Sequence, residues 1–99
     1  MSFFLTISEA AENDIREAFL WYEEQLPQLG SRFEKHVSLS METILGNPQK
    51  FQVRYGKTHI CFLKKFPYGI HFVVNADEIL IVSVFHTSRN PIRWVNLKE

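Results

Sequence analysis

The sequence predicts an α+β domain: an N-terminal strand and an antiparallel helical hairpin packed on a mainly antiparallel sheet. Three observations carry this expectation. Apolar residues recur at helical spacing between residues 11 and 44, the pattern changes to short strand-like runs after residue 49, and those runs are joined by short polar turns. With 99 residues, of which 45% are hydrophobic and 14% aromatic, the chain is expected to form one domain, residues 1–99, around one modest core.

The elements follow in order. FFLTI, residues 3–7, is short, apolar and partly β-branched, and reads as a first strand. Thr6 with Glu9 has the form of a capping box, and Ser8 is a competing N-cap for the helix that follows. Ala11, Ile15, Ala18, Tyr22 and Leu26 form one stripe, while most of the acids fall on other faces. Pro27 suits the first turn of a second helix, where its missing N–H is no loss. Leu29, Phe33, Val37, Met41 and Ile44 make the second stripe, and Gly46 is placed to act as the residue after the helix, ahead of Asn47 and Pro48. Helices joined by so little chain must run roughly antiparallel.

Four strand candidates come next: KFQVRY, THICFLKKF before Pro67, GIHFVV before the turn NADE, and EILIVSVFH. Their short connections imply antiparallel hairpins. The continuous apolar content of the last run suggests an interior strand buried on two sides.

Charge and composition narrow the function. Formal net charge is zero, but Lys and Arg number three against eight acids in residues 1–49 and eight against three in residues 50–99, so the halves carry −5 and +5. Such a dipole can present a basic face to an acidic partner; the plainer alternative is a solvated mixture. A lone cysteine, Cys61, excludes an internal disulfide and fits a reducing compartment. No apolar run reaches the length of a membrane span, and MSFFLTISEA has no basic region before its apolar residues, so neither membrane insertion nor a signal peptide is expected. The expected location is the cytoplasm.

Motifs for chemistry are absent. His59, His71, His86 and Cys61 show no paired metal-binding spacing, although His59 and Cys61 would share one face of a strand. No metal, cofactor or catalytic residue is assigned. Cys61 sits among Ile60, Phe62 and Leu63 and reads as a buried structural thiol. What remains is a cationic and aromatic group: Lys64, Lys65, Tyr68, His71, His86, Arg89, Arg93 and Trp94. Arginine and tryptophan anchor interfaces, and cations interleaved with aromatics also suit phosphates and bases. The alternative is that Tyr68 and Trp94 are packing residues and the cations only solvate the surface.

Taken in order, LWYEEQLPQLGSRF, the NP after the second helix, FLKKFPYGIHFVV and VFHTSRNPIRW resemble the RelE/ParE superfamily of toxin–antitoxin toxins over nearly the whole chain. The resemblance implies a β-α-α-β-β-β fold and a bacterial toxin held inactive by a cognate antitoxin. One branch cleaves messenger RNA on the ribosome; the ParE branch poisons DNA gyrase by contact. The RNA-cleaving branch places lysines at alternate positions of the strand before the FPY turn and an arginine at the start of the next strand. Here those places hold Ile60, Cys61 and Phe62, and Gly69 follows Tyr68, although Arg89 and His86 match parts of that branch. The long hairpin, the WYE segment and the FPY turn resemble the ParE side. The chain departs from many members in having His59 where they carry arginine and in its neutral charge. Three expectations follow: a gyrase-directed toxin acting by protein contact, a ribosome-dependent endoribonuclease, or a non-toxic antitoxin-binding member.

Overall fold

The structure, a computed structural model, describes residues 2–88. The elements are β1 (Phe4–Ile7), α1 (Glu9–Gln25), α2 (Leu29–Gly46), a 3-10 turn (Pro48–Lys50), β2 (Val53–Tyr55), β3 (Thr58–Phe62), β4 (Tyr68–Asn75) and β5 (Glu78–His86). They form one five-stranded sheet in the order β1-β5-β4-β3-β2. The three hairpins are antiparallel, and β1 runs parallel to β5 in register from Phe4 opposite Glu78 to Ile7 opposite Ile81. The α+β class, the helical hairpin and the mainly antiparallel sheet are therefore as the sequence implies. The first strand after the helices is shorter than KFQVRY, because Pro48 starts a 3-10 turn that takes up Lys50.

The helices cover one face of the sheet. From α1 come Ala11, Ala18 and Tyr22; from α2 come Phe33, Val37 and Ile44. They meet Cys61, Ile70, Phe72, Ile79, Ile81 and Val84 in one core. Two alanines on α1 bring its axis close to the strands, and the larger α2 residues fill the space beyond. Phe33 is fully buried, so truncating it to alanine removes a core ring, a class of change worth about 3–5 kcal/mol.

The opposite face is partly closed as well. Ile60, His71, Ser83 and Phe85 are buried but stand outside the helix-side core, as strand alternation requires. Two-sided burial of β5 is thus confined to Ser83–Phe85; Leu80 and Val82 keep intermediate exposure. His71 is fully buried, stacks edge-on to Phe85 with centroids 5.1 Å apart, and its Nδ1 shares a 2.7 Å hydrogen bond with the Tyr55 hydroxyl. Burial pushes the imidazole pKa down from 6.5 to about 4 and the Tyr55 phenol up.

The two faces are kept in phase by a bulge in β5. Phe72 pairs with Ile81 and His71 with Ser83, so Val82 is one residue more than β4 supplies. In a regular strand of the same sequence, without the bulge, Ser83 would turn toward the helices and Val84 away. On the other side of β5, where β1 ends at Ile7, its backbone groups are completed by the start of α1. Ser8 N–H donates to the Ile81 carbonyl at 3.0 Å, Ser8 Oγ donates to the Val82 carbonyl at 3.2 Å, and Val84 N–H donates to the Asp14 carboxylate at 3.0 Å. Ser8 Oγ also accepts from Ala11 N–H at 3.0 Å, which makes Ser8 the N-cap of α1. Thr6, the competing candidate, lies within β1.

The hairpin turn departs from expectation in one detail. Pro27 lies before α2 rather than in its first turn. Leu29 N–H donates to the Leu26 carbonyl at 3.0 Å across Pro27 and Gln28, and Gln28 sits at φ 73°, ψ 0°, the geometry of the third residue of a type II turn with proline second. The Glu23 carboxylate then closes the start of α2, accepting from Gln28 N–H at 2.8 Å and Gly30 N–H at 2.9 Å. A Cβ on Gly30 would lie 2.6 Å from the Phe19 carbonyl oxygen, so glycine is required where the helices meet. Gly46 is the last residue of α2 rather than the residue after it; Asn47, at φ −160° and ψ 81°, leaves the helical conformation ahead of Pro48. No described helix is long and apolar enough to cross a membrane.

Asp14→Ala should strand the Val84 N–H in a partly buried site and lower stability by about 1–3 kcal/mol, while Asp14→Asn, which keeps an acceptor, should retain most of it; chemical denaturation of the two variants measures the difference. Gly30→Ala should lower stability by about 1–3 kcal/mol through overpacking, and Gly46→Ala, with open space around its Cβ, should raise it by about 0.5–1 kcal/mol; melting curves for the pair isolate the contact from helix propensity.

The buried His71 sets a pH window. Its folded value lies below the unfolded one, so between about pH 6.5 and about pH 4 the unfolded chain binds a proton that the native state does not. Its contribution to stability is complete above that window and is lost as pH falls through it. An NMR titration should find one imidazole protonating near pH 4, and replacing His71 by asparagine should remove that resonance and flatten this part of the stability profile.

Candidate functional site

The FPYGI turn joins the two halves of the molecule. Leu63 N–H donates to the Tyr68 carbonyl at 2.9 Å, Tyr68 N–H donates to Phe66 O at 2.8 Å, and Thr87 N–H donates to the Pro67 carbonyl at 2.8 Å. The last bond ties the end of β5 to the turn. Beneath it the rings interlock: Tyr22 to Phe66 at 4.9 Å, Phe33 to Tyr68 at 5.1 Å and Phe33 to Phe66 at 5.4 Å between centroids. Mostly edge-on contacts of this kind favour aromatic pairs beyond simple burial. The WYE and GSRF segments therefore act together: Tyr22 and Phe33 supply rings, Glu23 caps and Gly30 allows contact. Gly69 is needed for a second reason, since a Cβ there would sit 2.9 Å from the Ile60 Cγ2 methyl on the face away from the helices.

The structure divides the cationic and aromatic group. Lys64 and Lys65 are exposed on the turn. His86 is half-buried at the end of β5, edge-on to Tyr68 at 5.2 Å, and its Nδ1 accepts from Ser88 N–H at 3.1 Å. Tyr68 is 6% exposed and belongs to the core, so it supports the site from below. His71 lies on the other face of the sheet, bonded to Tyr55. Arg89, Arg93 and Trp94 lie outside the described residues. What is brought to one end of the molecule is thus Lys64, Lys65 and His86, around the aromatic cluster.

Reactive groups elsewhere have structural surroundings. Burial pushes the Cys61 thiol pKa up, outweighing a Ser40 hydrogen bond and the Lys50 charge, so the thiol rather than the nucleophilic thiolate is held at neutral pH. His59 Nδ1–H donates to the Phe51 carbonyl at 2.7 Å while its ring stacks on Phe72 at 5.0 Å. The shared face with Cys61 is thus a packing arrangement. Among the described residues no group of three His, Cys, Asp or Glu side chains is placed to hold a metal ion.

One cation escaped the sequence reading. Arg54, beside an irregular step in the β2–β3 pairing, lays its guanidinium over the Phe62 ring at 5.3 Å. The ring itself is 42% exposed, and Lys50 stands over Phe51 at 5.7 Å. The first pairing is created by the hairpin register rather than by spacing along the chain, and the second joins sequence neighbours.

Comparison with known proteins places this geometry. A family model described as the ParE toxin of the type II toxin–antitoxin system parDE matches residues 5–91. No curated protein matches. Among solved structures, the chromosomal ParDE toxin–antitoxin system from P. aeruginosa superposes with TM-score 0.79 at 14% identity, covering 88% of this chain and 98% of that one. A mutant of the E. coli toxin RelE in the free state gives TM-score 0.70 at 17% identity over 95% and 93% of the two chains. The toxin–antitoxin complex RelBE2 from Mycobacterium tuberculosis gives 0.61 at 12% identity over 87% and 99%. At such identities the superpositions speak for the fold, and the family match spans most of the sequence: the chain belongs to the ParE toxin family of type II toxin–antitoxin systems.

Proposed function

We propose that this protein is a toxin that inhibits DNA gyrase by protein–protein contact, without hydrolytic chemistry of its own, and that a cognate antitoxin neutralises it. The observation that carries this reading is the character of the β3–β4 surface. Cleavage of RNA by its 2′-hydroxyl needs cations aimed at the charge that builds on the phosphate. At the strand positions that would carry them, Ile60 and Phe62 project beside Gly69, and the lysines come after the strand, on the turn. A surface of apolar residues rimmed by cations suits association better than phosphate chemistry.

The contact surface in this reading runs from Lys64 and Lys65 through His86 to Arg89, Arg93 and Trp94. Pro91 restricts the conformations of that segment and lowers the entropy lost on binding. The opposed charges of the chain halves would steer a mixed-charge antitoxin segment, so its association should slow as salt rises.

The test separates contact from architecture. Replacing Lys64 and Lys65 together, or Arg89 and Arg93 together, by alanine should leave the melting temperature unchanged. It should weaken gyrase binding and growth arrest, by about thirtyfold for each true anchor, equivalent to about 2 kcal/mol. Retained inhibition in both pairs sinks the surface assignment. Codon-specific cuts in messenger RNA on translating ribosomes, lost in Arg89→Ala, would promote the endoribonuclease reading instead, and antitoxin binding without growth arrest would identify a non-toxic member.

A further inference from the structure

The sheet narrows beside α2. β2 pairs only with Thr58 and His59, so the rest of β3 has β4 on one side and no described strand on the other. On the helix side of that edge lies a groove of about 460 Å³, a size that suits a small molecule. Cys61 and Phe51 lie at its floor, and His36, Leu39, Ser40 and Thr43, one stripe of α2, form its wall. Its middle is uncharged. Ser40 is hydrogen-bonded to the Cys61 thiol, and Leu39 is 48% exposed, so an aliphatic wall there faces water.

Charge stands at the two ends. The His36 ring lies 5.6 Å from Phe66, which sets that end of the groove at the FPYGI turn, where Lys64 and Lys65 are exposed. At the other end the chain leaves α2 through the 3-10 turn, and Lys50 stands 5.7 Å over the Phe51 ring. Among the described residues that line the groove none is acidic; Glu34 of α2 lines a separate groove against α1. At a rise of about 1.5 Å per residue, the helix from His36 to Thr43 sets the two ends about 10 Å apart. A compact anion would reach one end only. A chain charged along its whole length would lay charge on Leu39, where it loses hydration without a partner. We propose that the groove binds an elongated small-molecule dianion, such as an α,ω-dicarboxylate, with one end on Lys50, the other on Lys64 and Lys65, and its aliphatic middle against Leu39. The site does not rest on gyrase being the target, since ligand binding is read on the free chain.

The experiment titrates the purified full chain with suberate, followed by amide NMR spectra, beside octanoate, which has the same carbon chain and one charge, and succinate, which has both charges and a short spacer. Suberate should give saturable shifts at the amides of Leu39, Ser40 and Cys61. Its affinity should exceed that of each control by about fivefold, the worth of one exposed charge pair. The suberate-to-octanoate ratio should fall to near one in Lys50→Ala, and equally in Lys64→Ala with Lys65→Ala, while arginine at these positions should restore it. Leu39→Asn should weaken both ligands and leave the ratio unchanged, since it removes apolar contact and no charge. Melting temperatures should match the parent in the lysine variants, whose side chains are exposed. The absence of saturable shifts at those amides overturns the proposal, as does a ratio near one in the parent chain or one that the lysine variants leave intact. Tripolyphosphate or a polyglutamate peptide binding as tightly as suberate also overturns it, because charge alone would then select the ligand.

Discussion

The bulge at Val82 is the constraint on which the rest of the molecule depends. It places one residue more in β5 than in β4 and so decides which side chains face the helices. On the opposite side of β5, where β1 ends, backbone groups beside the bulge would lack partners, and the start of α1 supplies them through Ser8 and Asp14. Ser8 serves twice, capping its own helix and accepting a place in the sheet. The start of α1, the parallel pairing of β1 with β5 and the two-faced packing of β5 therefore form one unit.

From that unit the hairpin carries order to the far end. Glu23 and Gly30 hold α2 against α1, which delivers Phe33 to the rings of Tyr22, Phe66 and Tyr68. The cluster supports the FPYGI turn from beneath, and the Thr87–Pro67 bond fixes the end of β5 to it. Lys64 and Lys65 consequently stand on a rigid base although they are themselves exposed. Side chains presented this way lose less freedom on binding than side chains on a free loop, which favours a role in recognition.

The helical half was legible in the sequence because burial against one sheet imposes a 3.6-residue period. Phe33, Val37 and Ile44 stand where their spacing places them. The turn between the helices was less so: a left-handed position is signalled by glycine or asparagine, and Gln28 is neither. The bulge was hidden for a different reason. In ILIVSVF every position is apolar or small, so the sequence carries no alternation that would reveal a slip in phase. That same ambiguity concealed the fates of Tyr68 and His71, which lie on neighbouring parts of β4 but on opposite faces. Lys64 and Lys65 were legible as surface cations since nothing buries an unpaired lysine cheaply. Arg54 was not, because its place over Phe62 depends on the hairpin register.

The functional account turns on whether an apolar, cation-rimmed surface arrests gyrase without cutting nucleic acid. The most direct measurement is DNA supercoiling by purified gyrase with increasing amounts of this chain and nothing else added. Supercoiling that falls as the chain approaches equimolarity with the enzyme, and that returns when the cognate antitoxin is supplied, is the result the contact mechanism requires. Full supercoiling activity in a large excess of folded chain would contradict it.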